Sequence, residues 1–366
     1  MNCEEEVPTF ESDGSCFDDY QIKSSYQHSL LEKIKDEEVL LNCYYECRKN
    51  VNWKCSIQNF EHHLIKNIKT ISEQLKEGEP VTKGFNCFDI NERGKLRHIM
   101  SIDISERIVQ KALCKHVLIP ILSPSLIYDS GASLKGKGTS FTRRRLMVHL
   151  TKYYKEFGNK GYILLMDYHD YFGRINHVIL KDLIYKKIYD IELLDLIFFY
   201  IDYFGDKGLG LGSEVSQILA VYYLSEVDHY IKEQLSCKYY GRYMDDSYII
   251  ENSKDRLHVI FSEISVLLSR FDIELNPKKL QIRKIDETFV FLKFKYKLSD
   301  SGKVLRIPIQ ATYKRMEYKV NKLIELEKEP QIIDHVLVSY RGIVKQTNCG
   351  RRKYDLYLQQ LRCSYG

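Results

Sequence analysis

Two adjacent aspartates stand in the middle of GRYMDDSYII, residues 241–250, between runs that favour strands. Strand-like runs meeting at a short tip read as a β-hairpin, so the sequence sets like charges where a buried ribbon would be apolar. Upstream, GYILLMDYHDYF carries a continuous apolar run that stops at Asp167, the pattern of a strand covered on both faces. Carboxylates crowded at strand ends repel one another unless one is protonated or cations lie between them. The pattern therefore points to bound metal, with Asp167, Asp245 and Asp246 as ligands. Magnesium prefers oxygen donors and keeps waters and substrate phosphates in its shell, and two such ions about 4 Å apart serve phosphoryl transfer.

The surrounding elements predict an α+β sheet with helices on one face, and neighbouring strands that carry Asp167 and Asp245. Residues 28–80 read as helices of mixed charge, broken at Gly78 to Pro80. In RHIMSIDISERIVQKALCKHVLIPIL, the residues Ile104, Ile108, Ala112 and Leu113 share one helical face until Pro120 ends the pattern. The glycine- and base-rich SGASLKGKGTSFTRRR reads as a mobile loop. Helix is expected from His177 to about Phe204, a glycine turn over Gly205–Gly212, and an amphipathic helix from Ser213 to about Leu235. After the hairpin come a helix from Lys254 to Phe271, the turn LNPKK, a strand pair within FVFLKFKYKLSDSGKVLRI and a basic helical end.

Bulk properties narrow the partners. The 366 residues suffice for two or three subdomains, and 44% hydrophobic with 29% charged content belongs to a folded chain. The net charge of +5 hides an acidic start: residues 1–20 hold seven acids and no Lys or Arg, leaving a body of 55 bases against 43 acids. Such a body suits a polyanion, and the start reads as a flexible tail. The ten cysteines are scattered; Cys43, Cys47 and Cys55 before His62 and His63 lack the tight Cys-x-x-Cys of a zinc knuckle, so structural thiols in a reducing cytoplasm are expected. The most apolar stretch, IELLDLIFFYIDYF, is interrupted by Asp195 and Asp202 and is shorter than the roughly 20 residues of a membrane span.

Taken together, these blocks resemble the reverse transcriptase family in content and order over roughly residues 90–350. The resemblance implies a right-hand polymerase with fingers, a palm of antiparallel sheet backed by helices, and a helical thumb. By residue number it places an acidic tail at 1–27, fingers at 28–160, palm at 161–300 and thumb at 301–366. RHIMSIDISERIVQKAL resembles the first fingers block, and SGASLKGKGT the second, which makes Lys135 and Lys137 candidates for contact with an incoming triphosphate.

MDYHDYF resembles the first catalytic block. Asp167 is there a metal ligand, Asp170 marks the turn whose backbone donors hold the triphosphate, and Phe172 excludes a 2′-hydroxyl; Tyr168 and Tyr171 join the substrate-binding set. Leu211, Gly212 and Gln217 of LGSEVSQ resemble the nucleotide and template pocket, with Leu211 where most of the family has Gln, a departure shared with diversity-generating retroelement enzymes. YMDD gives Asp245 and Asp246, with Tyr243 and Met244 near the primer end. Lys278 or Lys279 of LNPKKLQ falls where the family keeps a general acid for the departing pyrophosphate. FLKFKY resembles the primer grip, giving Phe291, Leu292 and Lys293, with lysine in place of the usual glycine. The basic helical end with SYRG resembles a thumb of the group II intron kind.

The expected activity is RNA-directed DNA synthesis by two Mg2+ ions, with Mn2+ as substitute. Its partners would be an RNA template (a cognate non-coding RNA), a DNA primer and product, and dNTPs, with room for an accessory protein subunit and no membrane. A bacterial retroelement or an anti-phage defence system is the expected setting. An untemplated or protein-primed DNA polymerase of the defence type is the enzymatic alternative, and a non-catalytic nucleic-acid-binding scaffold is the other.

Overall fold

Strand β3 (Tyr162–Asp167) is apolar on both sides because both its faces are covered. Ile163 and Leu165 enter a core with Tyr248, Ile250, Phe289 and Phe294, while Leu164 and Met166, pointing the other way, are buried as well. The computed structural model describes residues 14–92 and 94–348, with Asp355 and Gln359. The described residues group into two units, one within Met1–Leu126 and Asp170–Ser225, the other within Ile127–His169 and Glu226–Gly366.

The first unit is helical: α1 (Gly14–Lys35), α2 (Glu37–Arg48), α3 (Cys55–His62), α4 (Leu64–Lys76), α5 (Ile104–Leu113) and α6 (Ile119–Leu122) precede α8 (Tyr171–Arg174), α9 (His177–Tyr185), α10 (Ile191–Asp202) and α11 (Glu214–Tyr223). A two-stranded hairpin, β1 (Asn86–Glu92) with β2 (Lys95–Ser101), projects from it. The sequence reading missed this hairpin, since Phe88, Ile90 and Leu96 are exposed and supply no one-sided pattern. Helix α1 begins at Gly14, so the second half of the stretch expected to be a flexible tail is helical, and Gln27, Leu31 and Ile34 are buried along it. Residues 1–13 lie outside the described residues. Pro120 does not end the helical path: a π-helical turn, Cys114–Leu118, carries α5 straight into α6, and the backbone stays helical past the proline to Leu122. The helix expected over 177–204 is two helices, and Asp190 caps the second through Leu193 N.

In the second unit, α7 (Thr139–Phe157) begins within the stretch read as a mobile loop; Thr142, Leu146 and Leu150 form the buried stripe that makes it helical. The sheet runs β4 (Tyr240–Tyr243), β5 (Asp246–Glu251), β3, β6 (Gln281–Lys284), antiparallel throughout. The expected strand pair after it is three strands, β7 (Phe289–Phe291), β8 (Phe294–Leu298) and β9 (Val304–Pro308). Helices α12 (Ser225–His229) and α13 (Lys254–Ser269) flank the hairpin in sequence, and α14 (Gln310–Glu325) pairs with α15 (Pro330–Val344) around Met316, Val320 and Leu337. The amphipathic helix expected from Ser213 to about Leu235 is interrupted at Leu224, resumes as α12 and continues in a π-helical turn, Tyr230–Gln234, to its expected end.

Among the described residues no helix is long and apolar enough to cross a membrane. Cys43, Cys114 and Cys237 are buried free thiols, while Cys55 is exposed; burial pushes the Cys43 thiol up to about 11.

Candidate active site

The sheet register brings the acids together. Asp167 is paired directly with Asp246 across β3 and β5, and opposite residues of an antiparallel pair have Cα atoms about 5 Å apart. Asp245 lies in the two-residue turn between Tyr243 and Asp246, and its carbonyl accepts from Tyr168 N at 3.2 Å. Asp167 is 5% exposed, while Asp245 and Asp246 are partly buried. Burial, then the neighbouring Asp245 and Asp167 charges, push the Asp246 carboxyl up to about 7. Lys279 and Lys293 pull the other way.

Lys279 distinguishes itself from Lys278. Its Nζ lies 2.5 Å from Asp167 Oδ2. Burial lowers its pKa, but the Asp167 hydrogen bond and the charges of Asp246 and Asp245 outweigh that and leave it raised. Lys278 is exposed, and its backbone N–H donates to the Asn276 side chain at 3.2 Å. Asn276 was missed by the sequence reading although it stands in LNPKK: its Nδ2 donates to Asp167 Oδ1 at 3.2 Å and its N–H to the Asp167 carbonyl at 2.8 Å.

Among the described residues no three His, Cys, Asp or Glu side chains form a ready-made metal cage. In this structure an ammonium group, that of Lys279, is the positive charge on Asp167. Three carboxylates, with burial and then the other two acids raising that of Asp246 toward neutrality, are nonetheless a hard-oxygen donor set, which fits divalent cations.

The primer-grip candidates form the β7–β8 turn of the same unit. Leu292 and Lys293 have φ of 44° and 68°, the two positive φ values of a tight hairpin turn that favours Asn and Gly. Arg143 holds that turn: its Nε donates to the Leu292 carbonyl at 3.1 Å, its guanidinium lies 4.7 Å from the Phe294 ring, and its Nη1 donates to Gln346 Oε1 at 2.7 Å. Phe291 is core, and Lys293 is exposed. Tyr243 and Met244 are partly buried at the end of β4 and in the turn.

Some expected substrate contacts sit elsewhere. Tyr168 is 2% exposed, because alternation along the strand turns it away from Asp167 into the interior. Tyr171 is likewise buried, with its hydroxyl donating to the Ala220 carbonyl. Lys137 donates to the carbonyls of Tyr128 at 2.9 Å and Ser130 at 2.8 Å, and burial lowers its pKa; the neighbouring Lys135 is exposed. In the first unit the structure brings the Asp170–Phe172 turn beside the glycine turn: Leu209 N donates to Phe172 O and Gly208 N to Ile175 O, each at 2.8 Å. A Cβ on Gly208 would meet Gly173 backbone at 3.0 Å, so that approach requires glycine. Asp170, at φ 45°, stands at the start of α8 without a side-chain capping bond, and Phe172 is partly buried. Leu211 is partly buried, Gly212 and Gln217 are exposed, and Ser213 caps α11 through Ser216 N.

A profile of the family described as reverse transcriptase (RNA-dependent DNA polymerase) matches residues 76–296, more than half of the chain. Among curated protein sequences none is detectably similar. Among solved structures, telomerase from Candida albicans, in complex with a TWJ fragment of telomeric RNA, is similar at TM-score 0.51 and 12% identity over 78% of this chain and 60% of that one. Apo telomerase from Candida tropicalis, truncated from its C-terminal domain, gives TM-score 0.48 and 15% identity over 67% and 60%. The match thus spans 60% of the length of each telomerase chain. The mixed helix-and-sheet fold is that of a right-hand polymerase, as the sequence led one to expect.

Proposed function

The chain belongs to the reverse transcriptase family, nucleotidyltransferases that are RNA-directed DNA polymerases, and from that membership we propose that it extends a DNA primer on an RNA template by two-metal phosphoryl transfer. The observation that carries the reading is the register of Asp167 opposite Asp246 with Asp245 in the turn between the strands. Asp167, Asp245 and Asp246 are the residues to hold two Mg2+ ions. When bound, such ions lower the pKa of an attacking hydroxyl and neutralise charge on a leaving pyrophosphate.

The chain's own residues do the rest. Lys279, not Lys278, is placed to hold a proton for the leaving group, since its ammonium already lies against Asp167. Asn276 orients Asp167 through the second carboxylate oxygen. Exposed Lys135 is the better of the two basic-loop residues for a triphosphate, because Lys137 is committed to main-chain carbonyls. Further along the chain, the Asp170 turn offers backbone donors for phosphate and Phe172 a ring against the sugar, favouring dNTPs. The β7–β8 turn presents Lys293 to the primer backbone.

The Leu211–Gln217 block favours a bacterial retroelement of the diversity-generating kind, with a cognate RNA and lowered fidelity; an anti-phage defence system is the alternative setting. Sequencing the products made with and without added RNA tests the templated reading: complementary products only with RNA are expected, and RNA-independent products of random sequence would favour the untemplated polymerase.

A further inference from the structure

Behind the acidic turn, in the same unit, lies an ion pair with no exposure on either side: Arg242 and Asp228. Arg242 Nε sits 2.8 and 3.1 Å from the two Asp228 oxygens, Nη2 lies 2.6 Å from Oδ2, and Tyr240 donates its hydroxyl to Oδ1 at 2.5 Å. Stability alone gives little reason for such a pair, because taking two ions out of water offsets most of their attraction and apolar replacements are often as stable. The remaining nitrogen suggests another role. Arg242 Nη1 donates to the Met244 carbonyl at 3.2 Å.

Met244 leads the two-residue turn with φ 52°, a left-handed position that favours Gly, Asn and Asp and strains a methionine. Strained backbone persists where its surroundings hold it. The arginine is itself pinned, since its N–H donates to Asp129 O at 3.2 Å and its carbonyl accepts from Gly131 N at 2.8 Å. The peptide plane before Asp245 is therefore fixed through the Met244 carbonyl and the one after it through Tyr168 N–H on the Asp245 carbonyl.

We propose that Arg242, braced by Asp228, is the positioning residue of the catalytic turn: it clamps the Met244 peptide so that Asp245 faces the substrate side in one orientation. This rests on the polymerase reading of the carboxylates. Neither residue touches substrate, so the effect falls on turnover and on cation binding, not on primer or nucleotide affinity.

The test uses Arg242→Lys, whose point charge still answers Asp228 but cannot fork to the Met244 carbonyl, and a paired apolar variant, Arg242→Met with Asp228→Leu. Steady-state extension is measured with Asp245→Ala alongside, and Mn2+ binding is followed by electron paramagnetic resonance. The expected result for Arg242→Lys is kcat lowered about tenfold, KM for dNTP and primer unchanged, and weaker Mn2+ binding. The paired variant should show the same split at a Tm equal to or above that of the parent. Wild-type kcat and Mn2+ affinity in either folded variant would overturn the proposal, as would kcat and KM falling off together in Arg242→Lys in step with Tm. Full activity in Asp245→Ala would instead overturn the carboxylate reading on which it rests.

Discussion

At the scale of single residues, the site is a question of which charges answer which. Asp246 is pushed up to about 7 by burial and by the two other acids, and Lys279 is the cation nearest at hand, 2.5 Å from Asp167. If Lys279 carries the leaving-group proton, Lys279→Met should lower kcat by about a hundredfold and leave primer affinity unchanged, whereas Lys278→Met should do neither; pre-steady-state extension on one primer separates the two. The acids themselves were legible from the sequence because charge interrupting an apolar run has few structural explanations. The choice between the two lysines was not, since adjacent identical residues differ only in where the turn points them. Asn276, Asp228 and Arg242 were overlooked for a related reason: their roles lie in hydrogen bonds across long sequence separations, and single-residue types do not announce these.

Among elements, turns hold the unusual backbone. Lys293 at φ 68° sits in a hairpin position suited to glycine, and it is exposed with its charge acting on Asp246. Lys293→Gly should relieve about 1 kcal/mol of left-handed strain and raise Tm by about 2 °C. The same change should weaken primer–template binding and reduce the salt slope of log K by about 1, measured by anisotropy across a salt series. A gain in stability joined to a loss of binding would show that the turn tolerates strain for its charge.

Helix α7 makes a second case. His149 is buried there, with Arg145 Nη2 3.1 Å from its Nε2, Asp129 3.5 Å from the same nitrogen, and the Tyr248 hydroxyl 3.0 Å from Nδ1; Lys232 lies 3.0 Å from Asp129. Burial, opposed by Asp129 and aided by Lys232 and Arg145, lowers its pKa from the ordinary 6.5. The folded chain therefore binds fewer protons than the unfolded one below about pH 6.5, so this contribution is full above that value and is lost as pH falls toward the depressed pKa. Urea midpoints should decline from pH 7.5 to 5.5, and His149→Gln should flatten that decline. None of this was visible in the sequence: glycines and bases fill SGASLKGKGTSFTRRR, which read as a loop, and the buried Leu146 and Leu150 lie just past its end.

For the whole molecule, the order of blocks told more than any one of them. The α+β class, the strand ending at Asp167 and the hairpin at Asp245 and Asp246 were legible because apolar runs, a charge pair and glycine turns recur in one sequence order, and the family profile over 76–296 bears out the reading. The β1–β2 hairpin and the division into units were not, because an exposed ribbon leaves no periodic trace and contacts between distant segments leave no local one.

The central claim is that three carboxylates at one sheet end run template-directed DNA synthesis. It is tested most directly by extending a labelled DNA primer on an RNA template with Mg2+ and dNTPs, using the parent chain beside the double variant Asp245→Ala, Asp246→Ala. The account predicts template-length product from the parent and extension reduced more than about a hundredfold in the variant; equal extension by a variant lacking both acids would contradict it.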